Sequence, residues 1–295
     1  QRRFFMITFN INKNSSGIRA DRFLFKATTA PSSLIYKAFR KKDVKINGHW
    51  IREDYTLSEG ERLDIYIDSS FRRERTAAHC TLTAPVVYED GAIVIFDKPP
   101  QLPCQPDSRH KTGSLADMLK SYLAETGAYN AAEENAFSPA LCNRLDTNTS
   151  GLVIGAKTAA ALREMNEQIR ARRVRKFYKC VLEGAPPEKC AHVHAYIEKD
   201  NEKNISRISS SGKEISMDYK VLSSDGKYTV AEVELHTGRS HQIRAYFSSV
   251  GCPLAGDKKY GAASGGGQEL RACKIIFDFE PGGALSEIAG KTIEI

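Results

Sequence analysis

The positive charge of this 295-residue chain is confined to its first quarter. Residues 1–75 contain 16 basic and nine acidic side chains, and their net charge of +7 equals that of the whole chain, so the remainder is neutral overall. This distribution predicts a separate module that binds a polyanion, with an ordinary solvated basic face as the alternative. We therefore expect two domains, at residues 1–75 and 76–295.

The pattern of the first domain predicts two short helices and a small β-unit. Apolar residues of "GIRADRFLFKATTA" and "APSSLIYKAFRKKDV" recur at helical spacing. The dipeptide Asn47-Gly48 then predicts a tight hairpin. Four basic side chains remain for the exposed side or the end of the second helix and are the candidate polyanion contacts of this module. They are Lys37, Arg40, Lys41 and Lys42.

The second domain follows a polar segment at residues 68–80, which we interpret as a linker. Short apolar or alternating runs then predict strands, and amphipathic runs predict helices at irregular intervals. The expected strands lie at 86–88, 93–96, 176–182, 192–197, 215–222 and 228–235, and the expected helices at 112–125, 158–170 and 240–251. Such an order favours an α+β domain on a mixed, mainly antiparallel sheet over a repeating βαβ fold.

Composition indicates the cellular compartment of the protein and bears on whether it binds a metal. No apolar run is long enough to span a bilayer, and seven scattered cysteines without a CxxC pair favour a reducing compartment, so we expect a soluble cytoplasmic protein. Alternation places Cys190, His192 and His194 on one strand face at a spacing that suits a metal. Because no second set of ligands follows nearby, we expect no metal site.

The segment "NRLDTNTSGLVIGAKT" places Asp146 where a polar run changes to an apolar strand. A carboxylate at such a junction can face a cleft while its backbone is held, and it can act as a nucleophile or a general base. An Asx-turn, in which the carboxylate only closes the turn, is the alternative. The segment alone leaves both interpretations open.

Two further segments combine basic and aromatic residues. "RARRVRKFYKCVLEG" interleaves Arg and Lys with Phe177 and Tyr178, a pattern that suits phosphate neutralisation and base stacking. "LHTGRSHQIRAYFSSVGCPLAGDKKYG" places polar and basic side chains at a helix start; they are Arg239, His241, Gln242 and Arg244. Salt-bridged surfaces are the alternative. With one candidate carboxylate and no metal signature, the pattern indicates a cofactor-free reaction on a nucleic acid.

These segments together resemble the RluA family of pseudouridine synthases. "NRLDTNTSGLVIGAKT" resembles the family's aspartate motif, usually written HRLDxxTSGLLxxAK, and "RKFYKCVLEG" resembles its tyrosine motif. "TGRSHQIRAYFSSVGCPLAGDKKYG" resembles the third motif and "EDGAIVIFDKPPQLPCQP" the leading strand element. The N-terminal domain resembles an RNA-binding module shared with a small-subunit ribosomal protein. This domain and the segment "REMNEQIRARRVRKFYK" most resemble the RluC-like branch, which modifies large-subunit ribosomal RNA.

The resemblance implies roles for individual residues. Asp146 would be the catalytic aspartate of uridine isomerisation, and Arg244 would pair with it and keep it ionised and oriented. Tyr178 would pack on the target base and serve in the last proton transfer from C5. Arg144 would fill the space that the flipped uridine leaves, since a guanidinium plane can stack and hydrogen-bond at once. Arg239, His241 and Gln242 would face the RNA, and no cofactor is needed.

One residue departs from the family pattern, and several functions stay open. Asn143 stands where the motif usually has His, and an amide cannot titrate near neutral pH. A supporting or RNA-contacting role for this position would leave activity intact. The alternatives are the same reaction on transfer RNA, a non-catalytic RNA-binding ribosome-assembly factor, and a uracil-releasing glycosidase. RNA is the expected partner, and a monomer is the expected state.

Overall fold

The computed structural model describes residues 6–74, 80–107 and 111–295. Two compact units divide the chain. The first comprises Gln1–Thr81, Leu119–Ala140 and Lys157–Ala160, and the second comprises Leu82–Met118, Leu141–Ala156 and Ala161–Ile295. The domain boundary expected near residue 75 stays a prediction. Part of the expected linker, residues 75–79, lies outside the described parts of the chain.

The N-terminal part of the first unit contains a four-stranded antiparallel sheet and two helices. Its elements are β1 (Ile7–Asn10), α1 (Ala20–Ala27), α2 (Ser32–Arg40), β2 (Val44–Ile46), β3 (His49–Trp50) and β4 (Arg62–Ile65). The strand order is β1-β4-β2-β3. Asn47 and Gly48 both have positive φ, as a hairpin turn of this length requires. The two helices and the hairpin agree with the sequence pattern, and strand β1 is additional.

The second unit is built on a sheet of eleven strands. The remaining elements of the chain are β5 (Val86–Glu89), β6 (Ile93–Lys98), α3 (Leu115–Glu125), β7 (Ala140–Leu141), β8 (Ser150–Ala156), α4 (Ala159–Arg170), β9 (Val174–Glu183), β10 (Cys190–Asp200), β11 (Ile205–Ser209), β12 (Lys213–Ser224), β13 (Tyr228–Leu235), α5 (Gln242–Ser249), β14 (Leu270–Phe277) and β15 (Thr292–Glu294). No helix in these described ranges is long and apolar enough to cross a membrane.

The strand order of this sheet confirms the expected mixed, mainly antiparallel α+β architecture. The main path runs β11-β10-β12-β13-β9-β14-β8-β6-β5, with β15 beside β14 and β7 beside β8. Among the described strand pairs, β14 with β8 is parallel and the others are antiparallel. Strands β6 and β8 are buried on both faces, which explains their continuous apolar sequences. Strand β13 alternates buried with partly exposed positions.

Strand β14 was not predicted, although it lies in the middle of the sheet between β9 and β8. Its pairing with β9 shifts register between Ala272 and Lys274, so the apolar alternation in "LRACKIIF" is broken at that point. Gly151 at the start of β8 pairs with Ala272 and has a φ of +112°. A Cβ at Gly151 would stand 2.2 Å from the Ala272 carbonyl oxygen, so only glycine allows this close approach.

Candidate active site

The turn before β8 leaves the carboxylate of Asp146 available. The backbone N–H of Thr149 donates to the backbone carbonyl of Asp146 at 3.0 Å, so the main chain closes this turn. The Asp146 side chain instead accepts from Arg244 and is 29% exposed. The Asp146 side chain therefore does not close this turn, which argues against the Asx-turn considered as the alternative.

Asn143 supports this turn from the strand side. Its amide oxygen accepts from the Ile154 N–H at 2.8 Å, and its amide nitrogen donates to the Leu152 carbonyl at 3.3 Å. Both partners are backbone groups of β8. The side chain thus ties the segment before Asp146 to the strand that follows it, and this use needs no titratable group.

Arg244 in α5 joins two carboxylates. Its Nη1 donates to Asp146 Oδ2 at 3.0 Å, and its Nε and Nη2 donate to the two oxygens of Asp257 at 2.6 and 2.9 Å. Burial alone would lower the pKa of Arg244, but the hydrogen bonds and negative charges of Asp257 and Asp146 raise it. The guanidinium is consequently a fixed, permanent cation that points at Asp146.

Tyr178 in β9 lines the same cleft as Asp146, a narrow space of about 90 Å³. Its ring is buried. Burial first, and the nearby negative charge of Asp146 second, raise the pKa of the Tyr178 hydroxyl well above its usual range. The phenol therefore stays protonated at neutral pH and can donate a hydrogen bond inside the cleft.

Arginine and histidine side chains complete the lining of the cleft. Arg144 is exposed and forms no hydrogen bond or ion pair with any residue that the structure describes, so it is available to a ligand. Arg239 lines the opening and donates from Nε to the Glu214 carbonyl at 3.2 Å. His241 has a side chain only 8% exposed, and its Nε2 lies 3.8 Å from Asp146 Oδ2.

Gln242 lines the cleft but uses its amide within the protein. Its oxygen accepts from the Thr237 hydroxyl and the Arg239 N–H, and its nitrogen donates to the Ser216 carbonyl. The residue is 2% exposed. These contacts hold the turn that leads from β13 into α5, so Gln242 positions Arg239 and the start of the helix.

Lys98 is a site residue to which the sequence pattern assigned no role. It is fully buried at the end of β6, and its Nζ donates to the carbonyls of Pro99, Leu102 and Thr147 at 2.8–3.0 Å. Burial lowers the pKa of Lys98 to about 8. Since Thr147 directly follows Asp146, this lysine supports the turn that carries Asp146. A lysine before two prolines, at the end of a strand that begins with four apolar residues, is the signal that points to it.

The basic residues predicted for the N-terminal module lie in the first unit. Lys37, Arg40, Lys41 and Lys42 are all exposed, in α2 or just after it. Lys42 Nζ lies 4.8 Å from the centre of the Trp50 ring, which is 52% exposed. A cavity of about 590 Å³ next to Trp50 includes Asn47 and Arg52 in its wall. This module thus presents cations and an exposed aromatic face together.

The strand with Cys190, His192 and His194 forms a different cluster from the one that the sequence suggested. His192 Nδ1 lies 2.6 Å from Asp218 Oδ1, and His236 Nε2 lies 2.8 Å from Asp218 Oδ2. His194 contacts Glu214 instead. Partial burial would raise the pKa of Asp218, but hydrogen bonds with His192 and His236 hold it below its usual range. The cluster is a cross-strand hydrogen-bond network on a partly exposed sheet face.

A cation-held carboxylate, a buried phenol and an available arginine converge on one cleft over a mixed sheet. This arrangement suits an enzyme that performs acid–base or nucleophilic chemistry. The model of the RNA pseudouridylate synthase family matches residues 92–249. The match covers more than half of the chain, and the chain belongs to this family.

Two relatives that align with most of the chain agree with this family assignment. The chain is 30% identical over 260 residues to the ribosomal large subunit pseudouridine synthase C of Vibrio parahaemolyticus, covering 85% of this chain and 79% of the relative. It is 30% identical over 251 residues to an uncharacterized RNA pseudouridine synthase of Aquifex aeolicus, covering 83% and 78%. The expected enzyme class is confirmed: the chain is an RNA pseudouridine synthase, which favours the enzyme over the non-catalytic RNA-binding alternative.

A solved structure shows the same fold at low identity. Human RNA pseudouridylate synthase domain containing 1 superposes with a TM-score of 0.55 and 21% identity, covering 68% of this chain and 81% of the human chain. At this identity the likeness shows the fold of the catalytic unit. The fold class predicted from the order of strands and helices is confirmed.

Proposed function

We propose that this enzyme isomerises uridines of large-subunit ribosomal RNA, acting as a monomer in the cytoplasm. The relative from Vibrio parahaemolyticus, whose name specifies the ribosomal large subunit, aligns with 85% of the chain. The excess positive charge in residues 1–75 suits a large RNA. The seven cysteines, all within the described residues, form no disulfide, which fits a reducing compartment.

The contact between Asp146 and Arg244 carries the catalytic part of this proposal. A carboxylate that accepts a hydrogen bond from a buried arginine keeps one orientation. Asp257 fixes the same arginine from the other side. Asp146 is therefore the anion that acts on the target nucleoside, with Arg244 as its orienting cation.

The reaction balances without any added group. The bond from C1′ to N1 of the uracil breaks, the base turns, and a bond from C1′ to C5 forms. C5 loses its proton, and N1 gains one. Substrate and product have the same atoms, so side chains that move protons and hold an anion are sufficient.

Tyr178 and Arg144 handle the target base in this proposal. A uridine inside folded RNA has to leave its stack before it reaches a recessed carboxylate, at a cost of a few kcal/mol. The exposed and available Arg144 takes the vacated place in the RNA. Tyr178 packs on the flipped uracil, and its protonated hydroxyl takes part in the hydrogen bonding that accompanies the transfer of the C5 proton.

RNA outside the cleft is held by Arg239 and by four basic residues of the N-terminal module. Arg239 lies at the cleft opening. Lys37, Arg40, Lys41 and Lys42 of the N-terminal module neutralise phosphates farther along the RNA. Asn143 serves the turn rather than the RNA, because its amide bonds to the backbone of β8. The departure from histidine at this position is then compatible with activity.

Tritium release from RNA labelled at uracil C5 tests the proposed substrate. Release should be fastest from large-subunit ribosomal RNA and slow from small-subunit ribosomal RNA and bulk transfer RNA. Sequencing of the modified RNA then identifies the uridines. Faster release from transfer RNA than from large-subunit RNA would contradict the substrate while leaving the enzyme class intact.

A further inference from the structure

The position of His241 is unusual for a residue that only contacts RNA. It directly precedes α5 with a φ of 55°, in the left-handed region that non-glycine residues seldom adopt. Its ring is almost fully buried, with Nε2 3.8 Å from Asp146 Oδ2. A backbone conformation that costs free energy and that places an imidazole beside the reacting carboxylate indicates a positional requirement.

Hydrogen bonds to Tyr260 define which nitrogen of His241 carries the proton. The backbone N–H of Ser206 donates to the Tyr260 hydroxyl oxygen at 2.9 Å. Burial raises the pKa of Tyr260, so the hydroxyl keeps its one hydrogen. We assign that hydrogen to the contact with His241 Nδ1, 2.8 Å away, because the Ser206 N–H already supplies a donor to the same oxygen. With Nδ1 as an acceptor, the proton of the neutral ring is on Nε2, the atom that faces Asp146.

The groups around His241 keep its ring neutral. Burial lowers the pKa of His241 most strongly, Asp146 raises it, and the cations of Arg244, Lys259 and Lys199 lower it further. The net direction is downward, so the ring is uncharged at neutral pH. A neutral Nε2–H next to an ionised carboxylate is a hydrogen-bond donor that adds no second charge to the cleft.

The two oxygens of Asp146 have different surroundings. Oδ2 accepts from Arg244 Nη1 and faces His241 Nε2. Oδ1 accepts no hydrogen bond from the residues that the structure describes. We propose that His241 is a positioning residue whose Nε2–H, oriented by Tyr260 and Ser206, holds Oδ2 together with Arg244 and so turns Oδ1 toward the nucleoside.

This inference rests on the proposed catalytic role of Asp146 and assigns a function to an additional side chain. The Nε2–Oδ2 separation of 3.8 Å is longer than a hydrogen bond. Hydrogen bonds in active sites are often long without substrate and shorten in the substrate complex. The cleft is expected to bring the two atoms to hydrogen-bond distance when the flipped base enters.

Two amide substitutions of His241 separate its effect on the position of Asp146 from its effect on the stability of the protein. In His241→Gln the amide nitrogen reaches about as far as Nε2, whereas in His241→Asn it reaches only as far as Nδ1. Single-turnover release at saturating RNA should fall about 100-fold in His241→Asn and only about 10-fold in His241→Gln. The His241→Asn variant should nevertheless be thermally more stable than His241→Gln, because asparagine adopts the left-handed conformation more readily than glutamine. Dissociation constants for RNA should change less than twofold in both variants.

Substitution of Tyr260 tests whether its hydroxyl orients His241. Tyr260→Phe removes the hydroxyl and retains the ring, whose centre lies 4.7 Å from the Arg244 guanidinium. Turnover should fall about 10-fold, and the double variant with His241→Asn should be no slower than His241→Asn alone, because both act through one hydrogen bond. Tyr246→Phe is the matched control, since this hydroxyl of α5 neighbours Tyr219 instead. It should keep the wild-type rate.

Equal turnover of the Asn and Gln variants, or turnover that follows their stability, would overturn the role of the Nε2–H. A weaker dissociation constant with unchanged turnover would assign His241 to RNA contact instead and also overturn it. Asp146→Asn, measured in parallel, distinguishes the two proposals. Wild-type release in that variant would remove the catalytic assignment and this inference with it, whereas complete loss there leaves the His241 comparison decisive.

Discussion

Arg244 contacts the carboxylate of Asp146 in a fixed geometry because Asp257 holds the other edge of its guanidinium. The two hydrogen bonds to Asp257 are bidentate, and both side chains are almost fully buried. A bidentate pair fixes the plane of the guanidinium as well as its distance. The direction of Nη1 toward Asp146 is therefore set by a buried residue that is not among the residues lining the cleft.

Asp257→Asn is predicted to reduce turnover and stability together. The substitution leaves a buried guanidinium with one charged partner, so the free energy of unfolding should fall by about 3 kcal/mol. Turnover at saturating RNA should fall about 100-fold because Arg244 Nη1 is no longer held in its direction toward Asp146. Denaturant unfolding and single-turnover tritium release measure the two effects.

Glu234→Gln provides the matched control for that prediction. Glu234 also receives two hydrogen bonds from one arginine, Arg175, at 2.7 and 2.9 Å. The Arg175 side chain is 41% exposed, so solvent screens the pair and its loss should cost less than about 1 kcal/mol. Equal effects of the two substitutions on turnover would show that Asp257 does not orient the catalytic pair.

Lys98 acts at the scale of secondary-structure elements, because it connects the end of β6 to the turn before β8. In Lys98→Met three partly buried carbonyls lose their donor. The free energy of unfolding should fall by about 2–3 kcal/mol. Turnover should also fall, since Thr147 and its neighbour Asp146 lose their support. Calorimetry and tritium release check both, and Lys213→Met, at an exposed strand position, should change neither.

The candidate site residues could be selected from the sequence because their signals are local. Asp146, Tyr178 and Arg244 each lie in a short motif that resembles a family pattern, and Arg244 contacts Asp146 in the structure, while their catalytic roles stay predictions. The amphipathic helices were predicted for the same reason: the apolar residues of α1, α2 and α4 recur within a few positions.

Features that depend on distant contacts were not predictable. Strand β14 was missed because a bulge breaks its alternation, and its place between β9 and β8 is a property of the whole sheet. Asp257 and Tyr260 lie inside a quoted motif, but their contacts with Arg244 and His241 arise only when the loop folds back onto α5. Single-sequence spacing contains no such information.

The uneven charge of the chain is a property of the whole molecule. All of the excess positive charge lies in residues 1–75, whereas the proposed reacting groups lie beyond residue 140. This separation predicts that the N-terminal module contributes affinity and the catalytic unit contributes rate. Each contribution can be measured separately.

Deletion of residues 1–75 is predicted to weaken RNA binding more than it slows turnover at saturating RNA. The salt dependence of binding should also become shallower, because fewer counterions are released from the RNA. Titrations at several salt concentrations and single-turnover assays measure these quantities, with circular dichroism to establish that the remainder is folded. A truncated protein that bound RNA as tightly as the full chain would contradict this division.

Trp50 allows RNA binding by the module to be followed in the full-length protein. It is the single tryptophan of the chain and is half exposed beside Lys42. Stacking of a base on the indole should quench its fluorescence. Replacing both Lys41 and Lys42 by Glu should raise the RNA concentration needed for half-maximal quenching about 10-fold or more. The rate at saturating RNA should stay unchanged. Fluorescence that RNA does not alter would place the bound RNA elsewhere on the protein.

The role of Asp146 is tested most directly by the fate of uracil in RNA treated with the wild type and with Asp146→Asn. The wild type should release tritium from C5, form pseudouridine and liberate no free uracil. Asp146→Asn should bind the same RNA with similar affinity and release no tritium. Pseudouridine formation by the variant at the wild-type rate would contradict the account, and free uracil from the wild type would identify a glycosidase instead.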